Sequence, residues 1–223
     1  MDEITISELR DEIRKGAKCA LMVRHAERPK MDVNDPSFGD ALPITAEGVR
    51  TAKKLGEILK ELKDETQFVA SPLTRTRMTA ECIAEGMGLE GAKIPVDELW
   101  GNGSFYYADP AEVLDVFKPA NFVPACFEYF QTGEQRGFVN LYKASDALEK
   151  WIDEHQASRF FLITTHDLYI AAFLYARKAK TDWARENWTR FLDGGAILDY
   201  PSGERRYALV RTGLSDGIVG VKV

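Results

Sequence analysis

The chain has 223 residues, 45% of them hydrophobic and 29% charged, enough for one large α/β domain with a buried core. Its net charge of −6 argues against nucleic acid or an anionic membrane as partner, so any anionic ligand needs a local basic pocket. No apolar run is long enough to span a bilayer, and Met1-Asp2-Glu3-Ile4 has no basic stretch followed by an apolar one, which points to the cytoplasm.

Leu9 and Ile13, spaced i, i+4 and followed by Gly16, predict a helix from Ser7 towards Arg14. Cys19 to Val23 is continuous apolar sequence and predicts a short buried strand, ending at once in Arg24-His25-Ala26-Glu27-Arg28-Pro29. Met31 to Asp40, with Pro36, Gly39 and several acids, reads as an exposed loop. Thr45 then caps a long helix whose Val49, Ala52, Leu55, Leu59 and Leu62 form one stripe. Gln67 to Ala70 is a brief apolar segment. Ser71 as N-cap and Pro72 in the first helical position predict a helix that carries Arg75 about one turn in, with Arg77 on its surface.

From about Leu89 to Phe138 the texture changes. Gly101, Gly103, Pro110, Pro119, Pro124, Gly133 and Gly137 punctuate a run rich in aromatics, and only Pro110 to Phe117, capped by Asp109, reads as a helix. This stretch is expected to be an insertion that folds over a pocket, with most of its aromatics forming a small core of their own. Asn140 to His155 is an amphipathic helix, and His155 falls at the end of its apolar stripe as a packed or helix-terminal histidine. Phe160 to Thr165 is a second strong buried strand that runs into His166-Asp167. Leu168 to Ala176 is apolar nearly all round and predicts a buried helix starting at that pair. Gly195–Tyr200 and Arg206–Val210, separated by Pro201-Ser202-Gly203, predict an antiparallel hairpin at or near the sheet's edge. Cys19, Cys82 and Cys126 are odd in number and far apart, and read as reduced core thiols.

In open α/β sheets ligands gather beyond the carboxyl ends of the strands, where Arg24, His25 and Arg28 then sit. A guanidinium is a permanently charged planar fork of donors, suited to the several oxygens of a phosphoryl group. An imidazole beside fixed positive charge should have a pKa below its free value of about 6.5, leaving a neutral, nucleophilic nitrogen. A second strand ends in His166, whose helix start adds N–H groups and a positive dipole end. Metal binding is the rival use of histidine. The three histidines, His25, His155 and His166, form no i, i+3 or i, i+4 pair and have no acid at ligand spacing, which argues against a zinc site.

With these segments the chain resembles the histidine phosphatase superfamily, the phosphoglycerate mutase-like fold. Arg24-His25-Ala26-Glu27 is similar to that family's Arg-His-Gly-Glu motif, with Ala26 in place of the common glycine. Ser71-Pro72-Leu73, Arg75-Thr76 and Thr79-Ala80 match its second segment, and Thr165-His166 its third. The resemblance implies that His25 is the phosphorylated nucleophile and that Arg24, Arg75 and His166 bind the phosphoryl group. Two features lean to the acid phosphatase branch: Arg28 falls on that branch's second arginine and Asp167 on its proton donor, although Ala26 and Lys30 depart from its pattern. The mutase branch instead places a glutamate after the second segment, and Glu98 is the nearest here. Glu27 is an accessory residue that orients an arginine or the substrate.

Pattern and resemblance together give the expected fold and function. The fold is an α/β three-layer sandwich: a mostly parallel central sheet flanked by helices, an antiparallel edge near the C-terminus, and one domain over 1–223 with about 89–138 as an inserted cap. The function is a phosphatase that uses neither metal nor cofactor and hydrolyses a small phosphorylated substrate through phosphohistidine. Asp167, as general acid, must then be protonated when substrate binds. A phosphoglycerate mutase-like phosphomutase and a non-catalytic phospho-ligand binding module are the alternatives.

Overall fold

The computed structural model describes residues 3–32, 35, 37, 39–101, 105–117 and 122–218. Pro36, Gly103 and Pro119, three of the expected breakers, lie outside them. In chain order the strands are β1 (Glu3–Thr5), β2 (Lys18–Arg24), β3 (Thr66–Ala70), β4 (Phe160–Thr165), β5 (Gly194–Asp199) and β6 (Arg205–Arg211). The helices are α1 (Ile6–Arg14), α2 (Ala46–Leu59), α3 (Thr74–Gly86), α4 (Pro110–Val116), α5 (Phe122–Thr132), α6 (Leu141–His155) and α7 (Asp167–Ala176). A 3₁₀ turn, Lys60–Glu65, extends α2. The hydroxyls, carboxylate and amide of Thr5, Thr45, Asp109 and Asn140 cap α1, α2, α4 and α6, satisfying backbone N–H groups that helices leave orphaned.

The sheet order is β1-β6-β5-β2-β4-β3. The pairs β2/β4, β3/β4 and β1/β6 are parallel, while β5 runs against both its neighbours, β2 and β6. The predicted hairpin is therefore present near the edge, one strand in from it. β1, only three residues long and without a pattern to announce it, pairs outside β6 and takes the edge.

Strand alternation sorts the core into two layers. Cys19, Leu21 and Val23 of β2, with Phe160 and Leu162 of β4, face α1, α2 and α3, meeting Leu9, Ile13, Leu55 and Ile83. Ala20, Met22, Phe161 and Ile163 face α6 and α7. Helices α2 and α3 cross at two glycines: a Cβ on Gly56 would lie 2.1 Å from the Ile83 carbonyl oxygen, and one on Gly86 2.0 Å from that of Lys53. Only glycine permits this contact. The three cysteines are free and buried.

Three expectations are corrected. Ser71 does not cap α3: the cap position is Leu73, in extended backbone with no side-chain bond, and the Ser71 hydroxyl is engaged elsewhere. The aromatics of the 89–138 stretch do not form a separate core. Trp100, Phe105, Tyr106, Tyr129, Phe130 and Phe138 share one cluster with Phe161, Tyr169 and Phe173. Pro110 to Phe117 is not the one helix of that stretch, which also contains α5. Pro124 is the third residue of α5, where the missing N–H would have had no helical partner. Among the described residues no helix is long and apolar enough to cross a membrane.

Candidate active site

The register of the sheet determines what meets at its carboxyl edge. Arg24 pairs with Thr165 and Ala70 with Thr164, so β2, β4 and β3, neighbours in the sheet, end at one level. The backbone continues the pairing one step further: His25 N donates to Thr165 O at 3.0 Å and Ser71 N to Thr164 O at 3.0 Å. Three turns distant in sequence are thereby brought side by side.

His25 is buried, 4% exposed. Its Nδ1 lies 2.8 Å from the Ala26 carbonyl oxygen, which can only accept, so Nδ1 carries the proton and Nε2 keeps a free lone pair. Burial, then Arg75, Arg24 and His166, hold its pKa well below the usual imidazole value. The ring is therefore neutral across the neutral range. Ala26 takes the glycine position without strain: it is fully buried, and its N–H donates to Thr79 Oγ1 at 2.9 Å, anchoring the turn to α3.

Arg24 is built into the floor. Its Nη1 donates to Thr189 O at 2.5 Å, and its Nη2 to Ile218 O at 2.7 Å and to Asp167 Oδ2 at 3.2 Å. The guanidinium carbon lies 4.4 Å from the centre of the Phe191 ring, which also faces His25 at 5.5 Å. Arg75, the second residue of α3, donates from Nη1 to Gly39 O at 2.8 Å, and Arg28 from Nη1 to Pro29 O at 2.8 Å. The Nε atoms of Arg24, Arg28 and Arg75 are all buried without a hydrogen-bond partner among the described residues. Burial, followed by the neighbouring guanidinium of Arg28, lowers the pKa of Arg75 to about 10. Arg24 and Arg28 are pulled down too, foremost by burial.

His166 is the N-cap residue of α7, and its ring centre is 5.6 Å from that of His25. Ser71 Oγ holds its Nε2 at 3.1 Å and is itself tied to Thr76 Oγ1 at 2.9 Å. Burial, then Arg75, Arg24 and Arg28, lower its pKa well below the ordinary value, so this imidazole is neutral as well. Asp167 Oδ1 accepts from Leu168 N at 2.9 Å, and Oδ2 accepts from Arg24 and from Trp188 Nε1 at 3.2 Å.

The structure thus brings together Arg24, His25, Arg28, Arg75, His166 and Asp167. It does not bring in Glu27, whose Oε1 accepts from Thr45 Oγ1 at 2.9 Å at the start of α2. Glu98 is exposed, in a short 3₁₀ turn beyond the end of β3. His155 stacks on Trp151 at the end of α6, as expected of a helix-terminal histidine. Sequence reasoning missed Ser71, Phe191 and Trp188 as site residues. Only Ser71 had a usable signal: it directly follows a strand end.

Three guanidiniums with unspent Nε donors, facing two neutral imidazoles and the Asp167 carboxylate, form a pocket suited to a multivalent oxyanion. A sequence model of the histidine phosphatase superfamily (branch 1) matches residues 20–208. The chain belongs to the histidine phosphatase superfamily. The matched model is that of branch 1, so it does not uphold the lean to the acid phosphatase branch carried by Arg28 and the His166-Asp167 pair. No curated protein matches in sequence. Solved structures of this superfamily's fold do. A mycobacterial glucosyl-3-phosphoglycerate phosphatase in complex with inorganic phosphate is similar at 16% identity and TM-score 0.58, over 89% of this chain and 98% of that one. A mutant phosphoserine phosphatase from Entamoeba histolytica in complex with phosphoserine is similar at 12% identity and TM-score 0.51, over 85% and 94%. A mycobacterial hydrolase matches at 17% identity and TM-score 0.55, over 88% and 98%.

Proposed function

We propose that this histidine phosphatase superfamily member is a phosphomonoesterase that forms a phosphohistidine on His25. The observation that carries the reading is the His25 ring itself: a neutral imidazole whose Nε2 lone pair is fixed by the Nδ1 bond to Ala26, beside the guanidiniums of Arg75 and Arg24. Nε2 attacks phosphorus in line, and the bond to the leaving oxygen breaks. Arg24, Arg28, Arg75 and His166 neutralise the equatorial oxygens. With Ser71 donating to Nε2, the His166 ring presents an Nδ1–H to the anion. Phosphomonoester hydrolysis is slow enough in water to leave room for up to ~10²¹-fold acceleration, and positioning with charge neutralisation supplies much of it.

Asp167 gives a proton to the leaving oxygen and then takes one from the water that attacks phosphohistidine. Its Oδ2 already receives Arg24 and Trp188, whereas Oδ1 receives only the Leu168 amide, so Oδ1 is the oxygen that carries the proton. The substrate is a small phosphomonoester, the class handled by the glucosyl-3-phosphoglycerate and phosphoserine phosphatases whose fold this chain shares. The 89–138 stretch, continuous with the α7 core beside the site, acts as the cap that selects it. A phosphomonoester panel scored for phosphate release tests the proposal. Turnover is expected in the wild type and its loss in His25→Ala. A fully active His25→Ala, or isomerised phosphoglycerate without free phosphate, would contradict it.

A further inference from the structure

Resting on that reading, we propose that Trp188 is a positioning residue for proton transfer. Its indole N–H pins Asp167 Oδ2 against Arg24, so that the proton for the leaving oxygen is carried on Oδ1. In the first step the His25 Nε2–phosphorus bond forms, the bond from phosphorus to the leaving oxygen breaks, and the Oδ1 proton passes to that oxygen. In the second, water attacks phosphorus, the phosphorus–Nε2 bond breaks and Asp167 recovers a proton. Without the indole bond the carboxyl can rotate about its last torsion, and a proton on the oxygen facing Arg24 is useless to the leaving group.

The bond is more than satisfaction of a buried N–H. The indole nitrogens of Trp100 and Trp183 are also buried, and neither has a partner among the described residues, so this core tolerates unpaired indoles. Trp188 is held where it can reach: it is 4% exposed and lies flat against Phe130, with ring centres 6.1 Å apart and planes at 11°. Its backbone is fastened to β6 by Arg211, whose Nη1 donates to Trp188 O at 3.2 Å and to Asp193 Oδ2 at 2.6 Å, and whose Nη2 donates to Asn187 O at 3.0 Å. The same short strap supplies Thr189 O and Phe191 to Arg24, and it contains Leu192 at φ 67°, a backbone state that a buried leucine holds only when its surroundings enforce it. One segment therefore orients both Arg24 and the carboxylate that pairs with it. The other titratable groups that feel Asp167 are Arg28, Arg75 and the neutral Tyr107 and Cys126, and none of them is altered when the indole N–H is removed.

The test is Trp188→Phe, which keeps an aromatic ring against Phe130 and deletes the donor, alongside a β-benzothienylalanine isostere at 188 that changes only the N–H. Both are assayed for kcat/KM on an alkyl phosphate, whose leaving oxygen needs a proton, and on p-nitrophenyl phosphate, whose leaving group does not. The expected result is a loss of about 10-fold on the alkyl ester and less than about 2-fold on the aryl ester, the effect of removing one hydrogen bond. Trp183→Phe, the neighbour at 5.4 Å, should move both substrates alike. Equal losses on both esters, or no loss in either variant, overturn the role of Trp188. If Trp188→Phe does not fold, the isostere decides by the same criterion. Phosphohistidine trapping on the wild type separates the two levels. Its presence with equal losses refutes Trp188 alone, and its absence at His25 refutes the reading beneath.

Discussion

Replacing Arg75 by methionine separates the stability of the pocket from its function. Arg75 is 7% exposed, and burial with Arg28 beside it lowers its pKa from an ordinary 12.5 to about 10, a cost of roughly 3 kcal/mol for keeping the charge in the folded chain. The guanidinium is charged in folded and unfolded chain alike below about pH 10, so the cost is fully present at neutral pH. It is relieved only as the pH rises through about 10 towards 12.5. Methionine keeps the apolar stem and loses the bond to Gly39 O, worth about 1 kcal/mol. The net expectation is a variant about 2 kcal/mol more stable, with a Tm roughly 4–8 °C higher for a chain of this size. Its phosphatase rate should nevertheless fall by about 10²–10³, as for the loss of one oxyanion donor. Calorimetry with and without inorganic phosphate, beside phosphate release, measures both effects. Phosphate should raise the Tm of the wild type and barely move that of Arg75→Met. A variant that is less stable yet fully active would refute the view that the arginines are held together for an anion.

His25 and His166 both have pKa values held well below 6.5, so below that pH the unfolded chain takes up protons that the folded chain refuses. Stability should fall as the pH drops through 6.5, and chemical denaturation of His25→Ala should show a slope shallower by up to about 1.4 kcal/mol per pH unit. Asp167→Asn should lower kcat/KM on an alkyl phosphate by about 10²–10³ and on p-nitrophenyl phosphate far less, which a leaving-group series would read directly. Gly56→Ala should destabilise by about 1–3 kcal/mol, because its Cβ meets the Ile83 carbonyl at 2.1 Å, while the catalytic parameters of the folded fraction stay unchanged.

Much of this molecule is written locally in its chain. β2 and β4 announce themselves as unbroken apolar runs ending in charge, α7 as a helix apolar all round, and α2 and α6 as stripes with capping Thr45 and Asn140. Arg24, His25, His166 and Asp167 are legible because they end or directly follow β2 and β4, and Arg75 because it lies just after the brief apolar segment that forms β3. The rest depends on partners that sequence does not display. β1 is strand only because β6 lies beside it, and β6 is internal only because β1 closes the edge. Ser71 has the residue type and spacing of a helix cap, yet its hydroxyl serves His166 and Thr76, a competition decided across the sheet. α5 was hidden because its aromatics pack in several directions, against Phe117, Phe138, Tyr175 and Trp188, and leave no single stripe. The strap from Trp188 to Asp193 contributes backbone carbonyls, one ring and one indole N–H, none of which leaves a pattern.

The claim on which the rest depends is that His25 takes the phosphoryl group. Mixing the protein with a ³²P-labelled phosphomonoester, quenching in alkali and mapping the label by mass spectrometry addresses it in one step. The account predicts acid-labile, alkali-stable phosphate on the ring of His25, accumulating faster than phosphate is released and lost in His25→Ala. Label on any other residue, or sustained turnover with His25 never labelled, would contradict it.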